Sequence, residues 1–374
     1  NMKNTMNRAL AMRGVYALNQ DSLPGLEALK EISQTPGEFK AREISRTISP
    51  LLNAPGRIGN PHLGIPDANV VVDLLTADLK GTQQGFRNIV SQFVKAIDME
   101  KRSRHHVSEQ AEIVEEVNEE RKKITERIAF EITKLMDKQV NLKEDKAIVI
   151  KGSRWNSGVI GIDADRLRDR YFRPVILLTD ITPSGYLKGS ARSIPKVNIY
   201  QVLDQVQAEF MKSEDRPLFQ TKVFTKDGSH MIGSFGGHSQ ACGFILHHKD
   251  FPKFKEILLK LMAPVDDSLF VPEFHAVDEL SFDDFNIKTF KQMDAMAPFG
   301  EGFDYPNYIL RNVEFGPRPR PFGSRFQKNK TPHVRFTVME VADSSKLSAR
   351  SRKCSAIGFG LWEKYQHYVL KEKV

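Results

Sequence analysis

The sequence contains little cysteine and no long apolar run. Two cysteines, Cys242 and Cys354, are too few for a disulfide framework or a zinc site. No stretch approaches the roughly 20 apolar residues that cross a bilayer, and the first residues lack the apolar core of a signal peptide. These absences argue against secreted, disulfide-rich and membrane-spanning classes. The sequence therefore predicts a cytoplasmic protein with no membrane partner.

The chain is long for one hydrophobic core. It has 374 residues, of which 40% are hydrophobic and 27% charged, as in ordinary globular proteins. Single cores stop growing at roughly 250 to 300 residues. We therefore expect two or three domains.

Positive charge is concentrated near the carboxyl terminus. The net charge of the chain is +8, and residues 316–353 alone carry ten Lys or Arg against two acids, which is 10 − 2 = +8. A solvated loop is one interpretation. Phe322, Phe326 and Phe336 stand among these charges, however, and aromatic rings between cations are typical of single-strand binding surfaces. The candidate nucleic-acid-binding residues are Arg318, Arg320, Arg325, Lys328, Lys330 and Arg335.

Apolar periodicity divides the chain into segments. Residues 1–80 mix short helical patterns with loops, and residues 81–140 predict one long helix with Asn118 as a candidate break. Two continuous apolar runs, 147–150 and 174–178, flank an amphipathic helix over 158–170, which is typical of a βαβ unit on a buried parallel sheet. The same domain is predicted to continue through helices at 200–212 and 251–262 and a strand at 241–247.

The last segment is rich in turns and strands. Residues 331–341 and 354–360 are its clearest strands, and a small β-barrel of the OB type, which binds oligonucleotides, fits the pattern. The predicted fold class is α/β plus β-barrel. The predicted boundaries are 1–80, a long connecting helix over 81–145, an α/β domain over 146–265 and the barrel domain over 266–374.

Four short segments place glycine beside Ser, Arg or His, as a backbone that grips a phosphate would require. They are residues 52–59 (LNAPGRIG), 151–162 (KGSRWNSGVIGI), 189–193 (GSARS) and 235–238 (FGGH). The second follows the first predicted strand of the α/β domain, where backbone amides and a helix start attract anions. Taken singly, each segment is also compatible with an ordinary turn.

In this order the segments resemble motifs of RecJ-type exonucleases in the DHH phosphoesterase group. The family patterns are N-A-A-G-R-x-G, W-H-x-G-V-I-G-I, G-S-A-R-S and G-G-H-x-x-A-A-G-F. Residues 298–302 (PFGEG) and 356–360 (AIGFG) add two weaker matches. The resemblance implies the end of a DHH catalytic domain, a connecting helix, a DHH-associated domain and an OB domain.

The resemblance also implies residue roles. His238 would face the scissile phosphate as the catalytic residue of this chain. The substrate-binding residues would be Arg57, Ser153, Arg154, Ser190, Arg192, Gly236 and Gly237. Arg and His suit this chemistry because they stabilise charge on phosphate oxygens, while Mn²⁺ or Mg²⁺ generates the hydroxide.

The sequence departs from the family in three places. Asn156 replaces the histidine after Trp155, and Phe303-Asp304 stands where Asn-Pro is usual. The Asp-rich and Asp-His-His metal motifs of the family do not occur, so we expect no metal bound by this chain and no cleavage by it alone. Together with the missing initiator methionine, this favours a fragment of a longer protein over a truncated gene.

Three functions are compatible with these observations. The first is a 5′ to 3′ exonuclease of single-stranded DNA in repair and recombination, with this chain supplying strand and 5′-end binding. The second is a non-catalytic single-strand-binding scaffold. The third, a phosphodiesterase of very short substrates, does not explain the basic segment. The resemblance further implies a monomer that works with a single-strand-binding protein and a helicase.

Overall fold

In the computed structural model, the described residues are 2–20, 22–35, 37–82, 92–181, 185–225, 228–323, 333–341 and 352–362. They divide into two compact units, one of residues 15–273 and one of residues 1–14 with 274–374. Each unit has its own sheets. The two are therefore described separately.

Helices dominate the amino-terminal part. They are α1 (Thr5–Gln20), α2 (Pro24–Ile32), α3 (Ala41–Glu43, continued by a π turn over Ile44–Ile48), α4 (Ser49–Ile58), α5 (Asn69–Thr82) and α6 (Gln92–Gln139). The later helices are α7 (Ile160–Tyr171), α8 (Ile199–Met211), α9 (Phe251–Met262) and α10 (Ile287–Asp294). The three helices predicted after the long connector are confirmed with small shifts of their ends. Of the connector predicted over 81–140, α6 covers residues 92–139. The break at Asn118 is wrong, because α6 is continuous and buries Asn118.

The strands of the first unit are β1 (Ile148–Lys151), β2 (Val175–Ile181), β3 (Tyr186–Arg192), β4 (Gln220–Thr225), β5 (Gly228–Gly233), β6 (Phe235–His238) and β7 (Ala241–His247). Five of them form one sheet in the order β1-β2-β3-β7-β6. Only the β1–β2 pair is parallel, and the other three pairs are antiparallel. The prediction of a parallel sheet therefore holds for the βαβ unit alone.

The two faces of this sheet are covered unequally. One face packs along its length on α8 and α9 through a cluster that includes Ile176, Ala191, Cys242 and Phe244. On the other face, α6 and α7 cover β1 and β2 through a second cluster that includes Leu177, and α7 also lies against the end of β3. Apolar burial thus fixes the sheet from one side and leaves β7 and β6 uncovered on the other.

A third cluster joins α2, α4, α5 and the first half of α6, with Leu29, Ile48, Leu51 and Leu74 among its buried residues. Helix α4 therefore contacts α6 within two cores, since its Ala54 and Ile58 belong to the cluster under β1 and β2. The long helix connects the helical part of the chain to the sheet.

The second unit contains β8 (Asp278–Leu280), β9 (Tyr308–Leu310), β10 (Val313–Phe315), β11 (Arg320–Phe322), β12 (His333–Glu340) and β13 (Lys353–Gly358). Strand β12 pairs antiparallel with β10, β11 and β13, and β8 pairs parallel with β9. Both predicted strands of this region are found. The described residues form an open antiparallel sheet rather than a closed barrel.

Candidate nucleic-acid interface

The face of the five-stranded sheet opposite α8 and α9 brings four predicted site residues into adjacent rows. Ser190 on β3 pairs with Gly243 on β7, which pairs with Gly236 on β6. In the next row, Arg192 pairs with Ala241, which pairs with His238. Directly paired residues point to the same face, so Arg192 and His238 lie on one face about 10 Å apart, two strand spacings. We call this surface the open face.

Small residues make the floor of the open face. Gly243 and Gly236 are exposed, and a Cβ added at Gly236 would have no neighbour within 4 Å. A Cβ at Gly243 would have its nearest neighbour, the Gly189 carbonyl oxygen, at 4.0 Å. The backbone of β6 and β7 is therefore accessible between the two polar side chains, as a binding groove requires.

Arg192 is held by three contacts. Its Nε donates to Asp165 Oδ2 at 3.1 Å, and its Nη1 donates to Ser190 Oγ at 3.1 Å and to the Ala191 carbonyl at 2.9 Å. A Cβ at Gly161, in the first turn of α7, would stand 2.6 Å from Arg192 Nη2. Glycine at this position makes room for the guanidinium. Arg192 is thus oriented before any ligand binds.

His238 ends β6 next to a glycine that cannot be replaced without strain. Gly237 has φ +148°, and a Cβ there would stand 2.3 Å from the Ala241 carbonyl oxygen. The His238 carbonyl accepts from Cys242 Sγ at 3.4 Å. Gly237 thus serves the strand pairing that carries His238, while Gly236 lies on the open face.

Arg57 reaches the start of α7 from α4. Its Nη1 donates to the Gly158 carbonyl at 3.4 Å, and a Cβ at Gly158 would stand 1.9 Å from the Arg57 carbonyl oxygen. Only glycine fits so close to the α4 backbone. Two motifs that lie far apart in sequence therefore meet at the start of α7.

The loop between β1 and α7 is anchored by its tryptophan. Trp155 is buried, its indole donates to Glu131 Oε2 of α6 at 2.7 Å, and its backbone N–H donates to Thr179 Oγ1 at 2.9 Å. A Cβ at Gly152 would stand 2.1 Å from the Trp155 ring, so this glycine serves packing. Ser153 and Arg154 lie exposed at the loop, the latter with φ +59°.

Asn156, the residue that departs from the family pattern, has a local role. Its Oδ1 accepts from the Gly158 N–H at 2.9 Å. This contact closes a turn just before α7. An amide at this position supports the backbone and cannot transfer protons.

The basic segment forms a separate surface in the second unit. Arg320 on β11 pairs directly with Arg335 on β12, and both are exposed. Like charges that face each other across a strand pair repel, so an anion bound here would relieve the repulsion. Arg335 stacks over the Phe322 ring at 5.3 Å, and His333 contacts the rings of Phe322 and Phe359, both at 5.3 Å. Phe359 is 70% exposed.

Some predicted residues lie elsewhere. Phe336 faces away from Arg335, because neighbours on a strand alternate, and it contacts Phe315 instead. Arg352, counted among the cations, is bonded to Glu340 at 2.8 Å. Arg318 is exposed before β11 with φ +68°. Arg325, Lys328, Lys330 and Phe326 lie outside the described residues.

Sequence reasoning missed several residues of these surfaces. Its patterns left 189–193 and 235–238 compatible with turns and predicted no strand there, whereas these residues lie mainly on β3 and β6. It also attributed Gly189 to phosphate approach, but a Cβ there would stand 2.3 Å from the Phe244 ring, so this glycine serves the core. Gly161 was noted only as part of the segment 151–162, and Asp165 was not singled out. Asp165 belongs to a helix with an ordinary amphipathic pattern, which carries no signal of its contact with β3.

Two further features, a cluster of metal-ligating side chains and a membrane-spanning helix, concern the described residues. Within them, no three His, Cys, Asp or Glu side chains lie together as metal ligands would. Over the same residues, no helix combines the length and apolarity of a membrane span.

Comparison with known protein families identifies two domains in this chain. Residues 144–212 match the model of the DHHA1 domain, and residues 278–374 match that of the RecJ OB domain. The chain thus combines a DHH-associated domain with an OB domain, as its motifs indicated.

The relatives identify the particular protein that the chain resembles. It is 26% identical over 346 residues to the single-stranded-DNA-specific exonuclease RecJ of Bacillus subtilis, covering 91% of this chain and 36% of the relative. It is 27% identical over 305 residues to RecJ of Haemophilus influenzae, covering 80% of this chain and 44% of the relative. The chain is therefore RecJ-like, and it spans less than half the length of these relatives.

A solved structure supports the same fold. The chain aligns with RecJ of Thermus thermophilus in complex with Mn²⁺ with a TM-score of 0.63 and 22% identity, covering 94% of this chain and 43% of that one. The structure of the same protein in complex with Mg²⁺ gives a TM-score of 0.62 and 23% identity, over 94% of this chain and 46% of the other.

Proposed function

We propose that this chain binds single-stranded DNA for a 5′ to 3′ exonuclease. The observation that carries the proposal is the open face, where Ser190, Arg192 and His238 stand in register over a floor of glycine and alanine. Such a floor admits a backbone closely, and charge-assisted bonds from a preset guanidinium suit a phosphodiester. The RecJ relatives are named single-stranded-DNA-specific exonucleases, which supports single-stranded DNA as the ligand and exonuclease action as the reaction.

Each proposed residue has a chemical role. Arg192 and Ser190 would hold a phosphate group, with Asp165 fixing the guanidinium. His238 would stabilise charge that develops on the scissile phosphate. Arg57, Ser153 and Arg154 would hold the 5′ end or neighbouring phosphates near the start of α7. In the second unit, Arg318, Arg320 and Arg335 with Phe322 and Phe359 would neutralise phosphates and stack on bases.

Hydrolysis itself is proposed for the longer protein. The two RecJ structures in complex with Mg²⁺ and Mn²⁺ support use of one of these ions, which supply an activated hydroxide when bound. We further propose that this activity serves DNA repair and recombination in the cytoplasm.

The first experiment measures strand binding by the chain as given. Fluorescence anisotropy of a 3′-labelled oligonucleotide of about 20 nucleotides, longer than one OB-type site, should show saturable binding. Arg192→Gln should weaken it about tenfold or more, because a charge-assisted bond is lost. Arg170→Gln, an exposed cation at the far end of α7, is the matched control and should change little. No binding by the unmodified chain at low salt would overturn the proposal.

The second experiment separates the nuclease from the scaffold. With Mn²⁺, a complete RecJ-like protein containing this chain should degrade a 5′-phosphorylated strand. His238→Ala should lower turnover by roughly the 10²-fold typical of a lost transition-state donor, with thermal unfolding unchanged. Binding without cleavage in the complete protein would favour the non-catalytic scaffold instead.

A further inference from the structure

Arg121, on the long helix α6, is a half-buried cation with a neutral partner. Its Nε and Nη2 donate to Asn118 Oδ1 at 3.1 and 2.9 Å. Asn118 is itself buried. Over the described part of the chain, no carboxylate forms an ion pair with Arg121. A guanidinium in such a place retains donors that a charged acceptor would satisfy.

Two further arginines are carried by the helices that pack against this part of α6. Arg57 lies near the end of α4, and Arg166 lies on α7. The three helices share one buried cluster, to which α4 contributes Ala54 and Ile58, α6 contributes Val117 and Ile128, and α7 contributes Ile160 and Ala164. Arg121 lies on the same face of α6 as the buried Val117, four residues earlier. Arg57 follows the buried Ala54 of α4 by three residues, and Arg166 follows the buried Asp163 of α7 by three. Each arginine therefore lies beside the face through which its helix packs on the other two.

The electrostatics agree with this geometry. Burial lowers the pKa of Arg121 most, and the charges of Arg166 and Arg57 lower it further, against a smaller opposing effect of Glu119. Arg166 is held by Asp163, whose Oδ1 accepts from Arg166 Nη1 at 3.1 Å. The nearby Asp165 is engaged by Arg168 and Arg192. The folded chain thus maintains a repulsive arrangement of cations, which binding of an anion would relieve.

We propose that Arg57, Arg121 and Arg166 form a phosphate-binding cluster for a single strand, additional to the open face. This proposal rests on the proposed function. Guanidinium groups suit a phosphate group because they donate in a planar fork and are weakly hydrated. A phosphodiester is the ligand because the strand proposed for the open face carries one at every nucleotide.

The start of α7, with the loop just before it, relates the cluster to the open face. Gly158 lies against Arg57, and Gly161 lies against Arg192. The two groups of cations therefore flank the same helix start, less than one turn apart.

The test compares two arginines of the same helix. Arg121→Gln should weaken binding of the labelled strand about tenfold, as expected for loss of a charged hydrogen bond, and should reduce the slope of log affinity against log salt by about 0.7. Arg127→Gln is the matched control, since Arg127 is exposed six residues further along α6. It should change affinity by less than about twofold, as exposed charges away from a ligand do.

The outcomes separate this proposal from the proposed function. If the unmodified chain binds no strand, the proposed function fails. If it binds, and Arg192→Gln weakens binding while Arg121→Gln equals Arg127→Gln, the cluster alone is refuted. Thermal unfolding of each variant checks that folding is retained.

A second arm identifies the phosphate. Strands with a 5′-phosphate and a 5′-hydroxyl are compared for Arg121→Gln and for Arg166→Gln. Equal loss with both strands assigns the cluster to an internal phosphodiester, and loss with the phosphorylated strand alone assigns it to the terminal phosphate. The double variant should lose less than the product of the two single losses, because both arginines contact one group. Full additivity would contradict a shared ligand.

Discussion

At the scale of single residues, Asp163 makes the stability of the fold depend on pH. It is 2% exposed, its Oδ2 has no hydrogen-bond partner, and burial raises its pKa to about 6 against the opposing effect of Arg166. The ordinary value is 3.8. Because the folded state holds the proton more tightly than the unfolded chain, this group's contribution to stability is greatest at low pH and decreases as pH rises.

The expected size of this pH effect follows from the shift in the pKa of Asp163. The free energy of unfolding contributed by Asp163 should fall by up to about 3 kcal/mol between about pH 4 and pH 6, and stay constant above. Asp163→Asn removes this titration, so urea unfolding should show the variant gaining on the unmodified chain as pH rises through that window. Asp169→Asn, exposed on the same helix, is the control and should keep a constant difference. A constant difference for Asp163→Asn as well would contradict the prediction.

At the scale of elements, two glycines on adjacent strands serve opposite faces of one sheet. A Cβ at Gly189 on β3 meets the Phe244 ring at 2.3 Å, whereas one at Gly243 on β7 stands in open space. Gly189→Ala should therefore lower the free energy of unfolding by about 1–3 kcal/mol, as overpacking does. Gly243→Ala should change it by less than about 1 kcal/mol, within the range of strand propensity.

Chemical denaturation of the two alanine variants measures this difference in the free energy of unfolding. A measurement of strand binding tests the open face separately. Gly243→Val adds a side chain to the floor of the open face without a clash in the free chain. It should weaken DNA binding while the fold remains intact. Equal destabilisation by both alanine variants would mean that the two faces are not distinct.

The strands show what sequence could and could not predict. Strand β7 and helix α9 were predicted with their observed ends, because strong apolar periods and clear turn residues define both. Strand β3 was missed, since Gly189 and Ala191 occupy buried positions where larger apolar residues would have revealed the alternation. Arg192 and His238 were identified singly, but their shared row depends on pairing through β7. The local sequence pattern does not reveal such strand pairing between distant segments.

At the scale of the whole molecule, two basic surfaces lie in two separate units. Arg192 belongs to the unit of residues 15–273, and Arg335 belongs to the other. If both contact one strand, Arg192→Gln and Arg335→Gln should each reduce the slope of log affinity against log salt by about 0.7, and the double variant by about 1.4. Titrations over a series of salt concentrations measure these slopes.

Strand length provides the control. An oligonucleotide of about 4 nucleotides, the lower end of one OB-type site, engages one surface at a time. The double variant should then lose no more slope than the more affected single variant. An affinity that does not depend on salt would contradict phosphate contact by either unit.

The alternation of side chains along β3 limits which mutations this chain can accept during evolution. Lys188, Ser190 and Arg192 face outward in alternation with Leu187, Gly189 and Ala191, which face the core. Inserting or deleting one residue upstream in the strand would exchange the two sets, placing the guanidinium in the core and leucine on the surface. Substitutions can alter either set independently of the other. The number of residues in β3, in contrast, is constrained both by folding and by the surface that the strand presents.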